Sequence, residues 1–76
     1  MTAQYFNSLN IDQHGEIVFQ KAKFIGTRTY YNQRLNLYSI DNLFIEVWYE
    51  PNKNKINKIE LLENLKTLDI YIEQNK

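Results

Sequence analysis

The chain has no cysteine, one histidine, one proline and two glycines among its 76 residues. Without cysteine, no disulfide can staple the fold and no thiolate can serve as nucleophile or metal ligand. Secreted domains this small usually depend on such staples, so a reducing, cytoplasmic setting is expected. His14 stands beside Gly15 in a polar stretch, with no second histidine and no carboxylates at ligand spacing. It reads as a solvated turn residue, and no metal site is expected. Two glycines are too few for a phosphate-cradling loop. The only serines are Ser8 and Ser39; Ser39 lies in a strand, not on a strand-to-helix elbow, with no base near it in sequence, and no catalytic residue and no cofactor is assigned.

An excess of either charge is also lacking. Nine basic and nine acidic side chains cancel, which removes any global attraction to nucleic acid or membrane. The same neutrality does little to keep copies apart and makes self-association easier. No apolar run approaches the ~18 residues of a membrane span, and "MTAQYFNSLN" does not read as a signal peptide.

What is present suits a single small domain over residues 1–76: 43% apolar and 14% aromatic residues, rich in β-branched types. "NLFIEVWY" is the best strand, with Leu43, Ile45, Val47 and Tyr49 on one side and Phe44, Glu46 and Trp48 on the other. "RLNLYSI" precedes it across Asp41-Asn42, a pair suited to a tight hairpin. "KAKFIGTRTYY" is a third strand, turned into the second at Asn32-Gln33, with a bulge or close backbone approach at Gly26. "EPNKNK" is the clearest break. After it, Ile56, Ile59, Leu62, Leu65 and Leu68 recur every three residues, as one long helix would have them, but Ile59 and Leu61 also alternate with Lys58 and Glu60. The expectation is a strand at 55–62 and a helix near 64–74, capped by Asn64, with Leu61, Leu65, Leu68 and Ile72 as the apolar stripe. The segment "DQHGEIVFQKA" is either a helix capped by Asp12 or a hairpin at His14-Gly15. The fold class is α+β: a three- to four-stranded antiparallel meander, a C-terminal helix on one face and an N-terminal helix or arm.

From Gly26 and Arg28 through Leu37-Tyr38, Asp41, Phe44, Glu46-Val47-Trp48-Tyr49 to Asn54, Ile56 and Ile59, the chain resembles a group of small uncharacterised bacterial proteins. Leu68, Tyr71 and Ile72 match that group's closing segment, while Leu62 and Ile70 stand where it carries Phe and Pro. The resemblance implies the order helix, meander, helix, and brings no activity, cofactor or partner with it.

Two apolar sheet faces need two covers. The C-terminal stripe is the natural cover for Leu43, Ile45, Val47 and Tyr49, taken together with Leu35 and Leu37. The other face carries Tyr38, Ile40, Phe44, Trp48 and Glu46, with Arg28 and Arg34 among them. Either Tyr5, Phe6, Leu9 and Ile11 pack over it, or another molecule does. Trp, Tyr and Arg anchor interfaces, so Tyr38, Phe44, Trp48, Glu46, Arg28 and Arg34 are the expected partner-binding set, in a homo-oligomer or with another protein. Glu46 is the ion-pair partner of Arg28 or Arg34. The alternative is nucleic acid. Lys21, Lys23, Arg28 and Arg34 lie in an acid-free stretch interleaved with Tyr30 and Tyr31, a pattern that serves single strands by stacking and phosphate neutralisation.

Overall fold

The structure is a computed structural model and describes residues 1–74. Two helices come first, α1 (Ala3–Asn7) and α2 (Ile11–Lys21). Asn10, not Asp12, caps α2. Its side chain accepts from the Gln13 N–H while the Gln13 side chain accepts from the Asn10 N–H, a reciprocal box that satisfies two donors the first turn leaves unpaired. That box settles the helix against the hairpin for this segment, with Gly15 inside it.

Four strands follow: β1 (Lys23–Tyr30), β2 (Gln33–Ile40), β3 (Leu43–Glu50) and β4 (Lys55–Leu61), each antiparallel to the next in the order β1-β2-β3-β4. The first two turns are two residues long. Asp41 takes φ 53° in the second; the first is Tyr31-Asn32, one residue earlier than the expected Asn32-Gln33, with Tyr31 at φ 54°. The register shift in β1 falls between Phe24 and Gly26, at the position expected for a bulge. A 3-10 turn at Pro51–Lys53 leads into β4. After β4, Asn64 caps a second 3-10 turn, Leu65–Thr67, and α3 spans Leu68–Gln74.

The covers are exchanged relative to the expectation. The N-terminal helices pack on the face of Ile45, Val47 and Ile59, where Phe6 and Val18 close the core. Helix α3 packs on the opposite face, which carries Leu37, Phe44 and Glu46. The hairpin explains the exchange. A two-residue turn at Asp41-Asn42 pairs Ile40 with Leu43, so Leu37 faces Glu46 and Leu35 faces Trp48. Paired residues share a face. Leu35 and Leu37 therefore belong with Phe44, Glu46 and Trp48, while Tyr38, Ile40 and Arg34 belong with Ile45 and Val47. The apolar stripe is corrected as well. Leu61 lies in β4 and Leu65 in the 3-10 turn, and Leu65 and Ile72 are both 61% exposed, so Leu68 and Tyr71 make the inward contacts. Of the four N-terminal side chains expected to cover a face, Phe6 is fully buried while Tyr5 and Ile11 point to solvent.

Candidate functional site

Glu46 is buried at the centre of the α3 face, and its charge is met from two elements. Arg28 reaches across from β1: its Nε donates to Oε2 at 3.1 Å, and a terminal nitrogen lies 3.1 Å from the same oxygen. Tyr71 of α3 donates its hydroxyl to that oxygen at 2.7 Å, and the guanidinium carbon lies 5.6 Å from the Tyr71 ring centre. A buried carboxylate with one donor removed would be strongly destabilising, so this triad ties α3 to the sheet. Burial works to lower the Arg28 pKa, but the hydrogen bonds and the Glu46 charge outweigh it and the net direction is up. Burial, then the bond to Glu46, pushes the Tyr71 hydroxyl well above its usual range.

Helix α3 is short for the surface it must cover. Seven residues make a helix about 10 Å long, whereas an eight-residue strand runs about 26 Å. It seals the Leu37 and Arg28 levels of the sheet. At the next level lies a cluster of rings. Tyr30 packs edge-on against Trp48 at 5.8 Å and against Tyr31 at 4.7 Å, and the Lys58 ammonium sits 4.0 Å over the Trp48 ring. Tyr31 is 89% exposed, and Tyr30 and Lys58 are about half exposed. The indole Nε1 is shielded from solvent without an acceptor among the described residues. The exposed aromatic end of this face is the candidate site.

The expected partner-binding set divides. Trp48 lies on the platform. Phe44 lies at the far end of the face, lining an apolar groove of about 520 Å³ with Ile25, Leu68 and Ile72. Glu46 and Arg28 are committed to each other, as the ion-pair reading anticipated. Tyr38 and Arg34 are corrected to the opposite face by the hairpin register. There the Tyr38 ring meets Phe19 and Phe24, and burial raises its hydroxyl pKa. The basic set does not converge either. Tyr30 and Tyr31 share the platform, but Lys23 pairs with Ser39 at the other end of β1, Lys21 ends α2, Arg28 is partly buried and held by Glu46, and Arg34 faces away.

Lys58 and Tyr71 are the functional-looking side chains the sequence reading passed over. Lys58 is placed by cross-strand pairing with Trp48, a register set by the break at Pro51 and a shift between Trp48 and Tyr49. His14 is corrected from solvated turn to structural role. It lies inside α2, its Nε2–H donates to the Phe6 carbonyl at 2.6 Å, and its ring stacks on Phe6 at 3.9 Å. Among the described residues, no group of three His, Cys, Asp or Glu side chains could hold a metal ion, and no helix is long and apolar enough to cross a membrane. Comparison of the chain with protein-family models, curated proteins and solved structures gave no match in any of the three.

Proposed function

We propose that this chain is a non-enzymatic protein-interaction module that associates with a second copy of itself, through the aromatic end of the sheet and the β4 strand beside it. The Tyr30–Trp48–Lys58 platform carries the reading. Large rings held edge-to-edge lose little entropy on contact, and Trp and Tyr are the side chains that anchor interfaces. Zero net charge opposes association weakly. The cysteine-free composition goes with a cytoplasmic setting.

Single-stranded nucleic acid is the second reading, favoured by the exposure of Tyr31 beside Tyr30 and Trp48. It is the weaker one, because Glu50 and Glu60 share the Lys58 end of the platform while Lys21 and Lys23 lie at the other end of the sheet. Light scattering on the wild type across a concentration series separates the two. Self-association predicts a mass rising from 9.2 kDa toward twice that value, and a weaker rise for Trp48→Ala. A wild type fixed at single-chain mass at every concentration overturns the reading. Salt-sensitive binding of a single-stranded oligonucleotide would then favour the second.

A further inference from the structure

We propose that the second copy joins at the β4 edge, antiparallel and in register about Ile59, so that two four-stranded sheets become one of eight strands. This rests on the self-association reading above and gives it a geometry.

The sheet has two edges, β1 and β4. The β1 edge is occupied. Its bulge lies between Phe24 and Gly26, and the outward Thr29 N–H donates to the Gln74 side chain at 2.9 Å. Bulges and covering side chains are the usual ways of blunting an edge. The β4 edge carries no such cover at its centre. Leu62 N–H donates to the Phe44 carbonyl at 2.8 Å, which sets the alternation along the strand. Glu60 and Lys58 therefore bond to β3, and Ile59 and Leu61 aim their N–H and C=O groups out of the sheet. Among the described residues, no side chain or loop hydrogen-bonds to those groups.

The occupant is identified by charge. Residues 55–63 read Lys-Ile-Asn-Lys-Ile-Glu-Leu-Leu-Glu, and their charges are antisymmetric about Ile59. A lysine on an edge normally discourages pairing. In a two-fold arrangement with Ile59 opposite Ile59, each Lys58 instead lies opposite Glu60 of the second copy, twice over, on the platform side of the sheet. Within the single chain Lys58 and Glu60 form one exposed ion pair, which leaves each able to take a second partner. Glu60 is directly opposite Glu46, a like-charge pair, and the nearby Lys58 ammonium at 3.5 Å is shared with the Trp48 ring. A second Lys58 across the dyad completes the match. Lys55 and Glu63 repeat the complementarity further out, beyond the irregularity near Asn57 and the strand end. Backbone pairing supplies the affinity and the charges supply the register. Both aromatic platforms then lie on one side of a continuous sheet.

The test is a charge swap read by sedimentation equilibrium. Lys58→Glu and Glu60→Lys each place like charges across the dyad and should raise the dimer dissociation constant by about tenfold or more. The double variant Lys58→Glu/Glu60→Lys restores opposite charges and should return it toward the wild-type value. Single variants that dimerise as well as the wild type overturn the edge geometry while leaving self-association intact. A double variant no better than the singles overturns it too. A wild type that never dimerises removes both. Amide exchange on the wild type gives an answer free of any variant's folding: the Ile59 and Leu61 amides should slow as concentration rises, and amides there that exchange equally fast at every concentration refute the pairing.

Discussion

Replacing Arg28 with methionine tests the most consequential interaction in the fold. The change keeps much of the side-chain bulk and removes the charge. Glu46 is 4% exposed, so its carboxylate would be left inside with the Tyr71 hydroxyl as its remaining charge-directed donor. Breaking a buried pair from one side costs about 3–5 kcal/mol, because the surviving charge has no solvent to return to. The whole domain has little more than that to lose. At ~0.05–0.15 kcal/mol per residue, a chain of 76 residues is stable by about 4–11 kcal/mol. In urea, with a slope of about 1 kcal/mol per molar for so small a protein, the midpoint of Arg28→Met should fall by roughly 3 M or more. Adding Glu46→Gln should recover part of the loss, since the neutral amide needs no counter-charge. The two changes together should therefore cost less than their sum. The assay is urea unfolding followed by far-UV circular dichroism on the wild type, both single variants and the double. A midpoint shift under roughly 0.5 M for Arg28→Met, or strictly additive losses, would refute the view of Glu46 as a carboxylate that folding must neutralise.

Tyr71 carries a pH signature. Its hydroxyl titrates higher in the folded chain than in the unfolded one, burial being the main cause and the bond to Glu46 the next. A raised folded value means the stabilisation is complete below about pH 10, the unfolded value, and is lost as pH rises above it. Urea midpoints should thus hold steady toward about pH 9 and fall beyond about pH 10, and Tyr71→Phe should flatten that fall, with a residual slope from Tyr38. An alkaline limb unchanged in Tyr71→Phe contradicts this assignment. His14→Phe keeps a ring for the Phe6 stack but deletes the donor to the Phe6 carbonyl, and should cost about 1–2 kcal/mol in the same assay. A neutral result would return His14 to the solvated role expected from its neighbours in sequence.

Much of the architecture was readable because local rules decided it. Asp41-Asn42 between alternating runs marks a hairpin, Pro51 and the asparagines around it mark the break, and Lys55–Leu61 pairs with β3 as its alternation implied. An ion pair at Glu46 was also legible, with Arg28 or Arg34 as its partner; the choice of Arg28, two strands away, needed the register that turns Arg34 of the adjacent strand to the other face. What failed depended on parity. A two-residue turn makes odd residues of β2 face even residues of β3, so grouping Leu35 and Leu37 with Ile45 and Val47 contradicted the hairpin itself. The helical stripe through Leu61, Leu65, Leu68 and Ile72 failed because a strand and a 3-10 turn interrupt it, and a period counted across such a junction has no geometric meaning. Phe6 could not be singled out from Tyr5 and Ile11, since one buried ring on a five-residue helix leaves no periodicity. Lys58 was invisible as a site residue because a cross-strand neighbour depends on the register of a shifted pair.

On the proposed geometry this small sheet, covered by its own helices on both faces, leaves an aromatic end and an open edge that a second copy fills. Small-angle X-ray scattering of the wild type over a wide concentration range tests it in a single experiment. The account predicts a mass that doubles and a radius of gyration that climbs well above the 12.0 Å of the isolated chain, as two sheets extend side by side. A mass and a radius that stay at the single-chain values at the highest attainable concentration would contradict it.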